Sequence, residues 1–164
     1  MRAPDPLPPY APDEPGFERL ENPEPVHRIR SFVSGDPFGN RLRVAFWRHV
    51  ERGEVRARVW FGPDAEGPPG HAHGGSLAAV LDEVMGVAAW HAGHSVVLGR
   101  LTVDYKRPLP LMIDTITFAE VRSVAGRRIE VHGRIESEPG VVHTSAVGIF
   151  VVVDPEKLGV LRVP

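Results

Sequence analysis

One segment restricts the fold of this chain more than any other. The run SLAAVLDEVMGVAAWHAG reads as a single long helix from about Gly75 to Ala92. Between Ser76 and Trp90 only Asp82 and Glu83 can ionise. At about 100° per residue, Leu77, Val80, Leu81, Val84 and Ala88 make one stripe. Ala78, Asp82, Met85 and Ala89 make the stripe beside it, and the remaining side carries Ala79, Gly86 and Trp90. A surface helix keeps a polar face and this one has none, so it must be covered by a sheet that wraps it or by a second subunit. Gly93 is placed to end it as a C′ glycine, with His91 and His94 near the negative end of the dipole.

The rest of the ordered sequence supplies the wrapping. RLRVAFWRHV and EVRARVWFG alternate, with Leu42, Val44, Phe46 and then Val55, Ala57, Val59, Phe61 on one face. The linker His49 to Gly53 suits a hairpin. After the helix come four more runs, at about 95–107, 112–124, 127–138 and 141–153, separated by turn chemistry at Gly126 and at Pro139-Gly140. The predicted order is β-β-α-β-β-β-β: an α+β chain with one helix and a mainly antiparallel sheet long enough to curl around it. Eight of the 17 prolines fall in the first 25 residues. Each removes a donor and fixes φ, so residues 1–40 read as an extended or partly disordered arm. Residues 41–155 then form the domain, and 156–164 a short tail.

Composition narrows the chemistry. With 19 basic and 21 acidic residues the net charge is −2, which argues against a broad nucleic-acid surface. There is no cysteine, which removes thiol nucleophiles, thiolate metal sites and disulfides together. No GxSxG elbow is present for a serine hydrolase. No apolar run reaches the ~18 residues of a membrane span. The N-terminal MRAPDPLPPYAPDEPG has no apolar h-region, so a cytoplasmic location is expected.

Two features of the helix carry chemical meaning. Asp82 is a carboxylate among alanines, and burying a charge costs several kcal/mol unless it is paired or hydrated. It either pairs with an arginine of the sheet or waits at the edge of a dry pocket to activate water or attack an acyl carbon. Glu83, about 100° around the helix, reads as a structural or peripheral group. At the helix start, HAHGG offers first-turn N–H groups at Gly74 and Gly75 without intrahelical partners, the material of an oxyanion hole. His73 then serves as cap or loop anchor. His71 and His73 form an HxH pair with no convincing third ligand, so no metal is expected. Gly75 and Asp82 lie seven residues apart, ~10.5 Å along the axis. One small carbonyl cannot easily touch both on one helix, which points to two helices and a homodimer with composite sites.

GPPGHAHGGSLAAVLDEVMG, then LTVDYKRPLPL, then VAGRRIEVHGRI, resembles the hotdog-fold acyl-CoA thioesterases over roughly residues 41–153. The likeness is to the PaaI-like and THEM4-like branch of the 4-hydroxybenzoyl-CoA thioesterase superfamily. The combination is HGG, an aspartate nine residues after the histidine, and YKRP about 23 residues beyond. The resemblance implies a helix wrapped by five or six antiparallel strands, in a homodimer or homotetramer. It implies an aspartate at Asp82 acting as base or nucleophile, and a carbonyl-polarising N–H at Gly74 with Gly75 beside it. His73 shapes that loop, and no cofactor is needed. For acyl-CoA it implies contacts from Asp104, Lys106 and Arg107, and from Arg127 and Arg128; charge supports this, because guanidinium and ammonium groups bind phosphates well. Trp90, Met85 and Phe118 are candidate walls for the acyl chain. The chain departs from its relatives twice. GPPGH stands where many carry Asn or Gln, with His71 as the substitute, and Val97, Leu98 and Gly99 stand where several carry Thr or Ser. A non-catalytic acyl-CoA binding module and a hotdog enoyl-CoA hydratase or dehydratase are the alternatives.

Overall fold

The structure, a computed structural model, describes residue 12 and residues 14–21 and 31–157. The remainder of the proline-rich arm and the last seven residues of the tail lie outside the described residues. Seven strands and one helix follow in order: β1 Phe17–Leu20, β2 Leu42–His49, β3 Val55–Phe61, α1 Gly74–His91, β4 Val96–Tyr105, β5 Asp114–Ala125, β6 Arg128–Glu136 and β7 Val142–Val152. They form one sheet in the order β1-β2-β3-β5-β6-β7-β4, with every neighbouring pair antiparallel. Helix α1 carries the chain from β3, inside the sheet, to β4 at its far edge. On the way it lies across the inner face and touches β3 to β7.

The helix begins and ends one residue earlier than the sequence suggests, at Gly74 and His91, and Gly93 follows its C-cap with a left-handed φ of +92°. Its wrapping side is dry: Leu77, Val80, Leu81, Val84, Met85, Val87, Ala88 and Ala89 are all buried. The sheet makes room for it with small residues. A Cβ on Gly133 would stand 2.8 Å from Met85 Sδ, and one on Gly148 would stand 2.8 Å from Met85 Cε. Ala119 and Ala146 flank Gly133 in its cross-strand row. Small residues on β5 to β7 therefore let the helix seat closely enough to bury a methionine completely, worth ~1.5–3 kcal/mol for that side chain alone.

Two sequence expectations need correction. The sheet has seven strands, not five or six, because β1 lies in the segment read as an arm. Pro15 and Pro23 bracket Phe17–Leu20 without entering it, so the four residues between them pair with β2 at the sheet edge. Val33, also from that segment, is buried in the core. The outer face of the sheet carries stacked cationic and aromatic side chains. Arg43 lies 4.2 Å over the Trp60 ring, and Phe118 lies between Arg56 and Arg134 at 5.1 and 4.0 Å. These stacks cover aromatic rings that the pleat turns outward. Phe118 thus belongs to the outer face and Met85 to the core, so neither walls a pocket beside Asp82.

Candidate active site

The loop that leads into α1 is held by its backbone. Gly67 lies against His73, where a Cβ would stand 2.7 Å from the histidine Cα. The His73 N–H donates to Ala65 O at 2.8 Å, Ala72 N–H to Leu109 O at 2.9 Å, and Leu111 N–H to Gly70 O at 3.0 Å. The glycines and prolines of residues 62–75 thus form a fixed platform tied to the segment after YKRP.

On that platform His73 is the N-cap. Its Nδ1 accepts the Gly75 N–H at 2.8 Å, so this nitrogen is unprotonated in the capped form. The His73 carbonyl accepts three donors: Ser76 N–H at 2.9 Å, Ser76 Oγ at 2.7 Å and Leu77 N–H at 3.3 Å. The Tyr105 hydroxyl donates to the Gly74 carbonyl at 2.9 Å. Among the described residues nothing accepts the Gly74 N–H. The HGG run alone offers both Gly74 and Gly75, and the resemblance points to Gly74; in the structure Gly75 is committed to His73 and Gly74 is open. That open N–H sits at the positive end of an 18-residue helix.

Asp82 lies two turns further on, ~12 Å along the axis from Gly74. It is half-buried, and no described residue donates to it. Burial pushes its carboxyl above the ordinary range. Glu83 is more deeply held, in a structural setting. Burial raises its carboxyl first, hydrogen bonds from Ser31 and Ser34 pull it down, and the charge of Asp82 raises it again. The Ser31 hydroxyl donates to one Glu83 oxygen, while the other is buried without a partner. Among the incompletely buried positions of α1, Gly75, Ala78, Ala79 and Asp82 recur at three- and four-residue spacing and share one flank. That flank bears Asp82 among small residues that are exposed or only partly buried, with Ala79 packing on the core.

The basic residues do not gather in one chain. Lys106 and Arg107 follow the end of β4, where both N–H groups donate to His143 O at 2.8 and 3.1 Å. Arg127 and Arg128 sit at the β5–β6 turn, where the Arg127 guanidinium donates to Val152 O at 3.1 Å. Along β7 these ends correspond to Thr144 and Val151, roughly 23 Å apart at the strand rise. Asp104 points to the outer face, opposite Ser145, in a groove of about 410 Å³ shared with Arg56, Phe118 and Arg134, whose lining does not include Gly74. Leu98 packs against the core and Thr102 is exposed, so neither fills the hydroxyl position. His71 uses Nδ1 on Pro69 O at 2.9 Å. No cluster of three His, Asp or Glu suited to a metal occurs among the described residues, and no described helix is long and apolar enough to cross a membrane.

Sequence reasoning missed Tyr105, Ser76 and Ser31. Tyr105 stood in the quoted YKRP run, but hydrogen bonding across 31 residues leaves no local signal.

Comparison with known proteins gives a consistent picture. Residues 69–143 match the family model described as thioesterase superfamily. Over 140 residues the chain is 33% identical to the acyl-coenzyme A thioesterase THEM4 of Rattus norvegicus, covering 85% of this chain and 60% of that protein. A crystal structure of a thioesterase superfamily protein, 34% identical, aligns with a TM-score of 0.68 over 74% of this chain and 60% of that one. A Streptococcus mutans protein solved bound to acetyl CoA shares the fold, at 17% identity and a TM-score of 0.64, over 78% of this chain and 95% of that one. The chain spans 43% to 60% of the length of the THEM4 relatives from Xenopus laevis, Rattus norvegicus and Mus musculus.

Proposed function

This chain is a hotdog-fold relative of the thioesterase superfamily, and from that premise we propose that it hydrolyses the thioester of an acyl-CoA to a free acid and CoA. One observation carries the reading: an open N–H and a half-buried carboxylate, neither with a partner among the described residues, lie two turns apart on a helix whose sheet-facing side is dry. In this mechanism the Gly74 N–H receives the thioester oxygen, where negative charge develops as the carbonyl carbon becomes tetrahedral. Asp82, ionised, removes a proton from water and the hydroxide attacks that carbon; or the carboxylate attacks directly and water opens the resulting anhydride. Collapse breaks the C–S bond, and the thiolate leaves with a proton. His73 holds the Gly75 N–H and so fixes the loop.

Three observations support a homodimer as the working unit. The ~12 Å between Gly74 and Asp82 exceeds the reach of one carbonyl, so the two groups meet only across two helices. The Asp82 flank of α1 is lined by small residues that let another helix approach. Strand β4 lies at the sheet edge, and antiparallel pairing with a second β4 would bring Lys106 and Arg107 of one protomer toward Arg127 and Arg128 of the other. The two basic ends would then form one CoA phosphate site. A homotetramer would pair two such dimers, and light scattering distinguishes the assemblies. A cytoplasmic location completes the reading, and cell fractionation tests it.

Purified protein, a panel of acyl-CoAs and a thiol-detecting dye decide the function. Thiol release that disappears in Asp82→Ala while CoA binding persists is the expected result. CoA binding without turnover at any chain length would favour the binding-module reading, which Leu98 in place of a hydroxyl supports. Hydration of crotonyl-CoA without thiol release would identify a hydratase.

A further inference from the structure

Tyr105 has no part in the chemistry above, yet it sits at the donor. Two peptide planes determine where the Gly74 N–H points. The first joins His73 to Gly74, and its carbonyl is held by Ser76 and Leu77. The second joins Gly74 to Gly75, with its N–H on His73 Nδ1 at 2.8 Å and its carbonyl on the Tyr105 hydroxyl at 2.9 Å. Two successive glycines are the least restrained pair a chain can offer, so a donor between them keeps its aim only if both planes are tied. Helix geometry secures the first plane. For the second, the tie at the carbonyl end that comes from outside the helix is Tyr105.

The Tyr105 ring is 56% exposed, so little apolar burial holds it in place. It nevertheless closes over Gly74, where a Cβ would come within 3.3 Å of the ring. The strand end beneath it is fixed by the Lys106 and Arg107 N–H groups, both on His143 O. The phenol therefore projects from a rigid point onto a flexible one, and it carries the helix start to the edge strand.

We propose that Tyr105 is a positioning residue for the oxyanion donor: its hydroxyl locks the Gly74–Gly75 peptide, so that the Gly74 N–H stays open and aimed. This deepens the thioesterase reading and rests on it. The variant is Tyr105→Phe, which keeps the ring and removes the tether. In the full-length protein kcat is expected to fall about tenfold with KM within about twofold, the pattern of a loss felt in the transition state. The melting temperature stays within about 2 °C, as for a surface substitution. Amide exchange at Gly75, followed by NMR, speeds up while core amides stay unchanged. Wild-type kcat with wild-type Gly75 exchange would overturn the proposal. So would a raised KM at unchanged kcat, which would make the phenol a substrate contact. If the wild type releases no thiol from any acyl-CoA, the hydrolytic reading fails by itself. Gly75 exchange then decides the tether: faster exchange in Tyr105→Phe supports it, and unchanged exchange overturns it.

Discussion

Replacing Gly74 with proline deletes one hydrogen atom from the candidate site and almost nothing from the fold. Gly74 is the first residue of α1, where proline's fixed φ and missing N–H are both tolerated. His73 before it is already extended, at φ −65° and ψ 134°, as a following proline requires. The lost N–H has no acceptor among the described residues, so no structural hydrogen bond is sacrificed. The new Cβ meets the Tyr105 ring at 3.3 Å, a tight contact that Gly74→Ala shares while keeping the N–H. The alanine variant is therefore the control for shape. Removing one oxyanion donor costs ~10²–10³ in kcat, about 2.7–4 kcal/mol of transition-state stabilisation. Folding should change little. Proline restricts the unfolded chain, worth about 0.4–1 kcal/mol, and the contact with Tyr105 offsets part of that. The melting temperature then moves by no more than about 4 °C. The assay is steady-state thiol release on an acyl-CoA that the wild type turns over, with melting curves for all three proteins. Gly74→Ala should keep kcat within about tenfold and Gly74→Pro should lose it. Equal activity of the two variants would remove Gly74 from the oxyanion site and refute the reasoning.

Other outcomes follow from the same geometry. Asp82→Asn should abolish turnover without lowering stability at pH 7–8. Because burial raises the Asp82 carboxyl in the folded state, its ionised form opposes folding at neutral pH, so the variant gains up to ~1 kcal/mol, discounted for a half-open group. That gain should shrink as pH falls toward the ordinary aspartate value of about 3.9, a trend that melting curves at several pH values read directly. The acid limb of wild-type kcat/KM should stand above that same value, since the base must be ionised; a limb at or below it would contradict the assignment. Gly133→Val should cost ~1–3 kcal/mol, because its Cβ begins 2.8 Å from Met85 Sδ, and Met85→Ala in the same chain should restore part of the loss in denaturant titrations.

The sequence made the fold legible because period and punctuation agreed. Alternation located β2 to β7, and Gly93, Gly126 and Gly140 sit at positive φ where the chain turns or stops. The strand it concealed, β1, is four residues between prolines, and its existence depends on β2 lying alongside. At the site, residue types were readable and their partners were not. A histidine followed by two glycines announces a helix start, but nothing local says that His73 takes the Gly75 N–H and leaves Gly74 open. Tyr105 to Gly74 and Ser31 to Glu83 span 31 and 52 residues, so only the folded chain shows them. The placement of the basic residues is hidden for a related reason. Lys106, Arg107, Arg127 and Arg128 look like one cluster along the chain, yet antiparallel pairing sends them to opposite ends of the sheet.

A mixed dimer tests the two-subunit site most directly. Gly74→Pro and Asp82→Ala are each expected to be inactive, and each keeps the half of the site that the other lacks. Co-expressed in equal amounts, they should give half mixed dimers with one intact site in two, hence about a quarter of wild-type thiol release per protomer. Recovery near that level is the predicted result. Mixed dimers, isolated by two different tags, that stay as inactive as either parent would contradict a site shared between two helices.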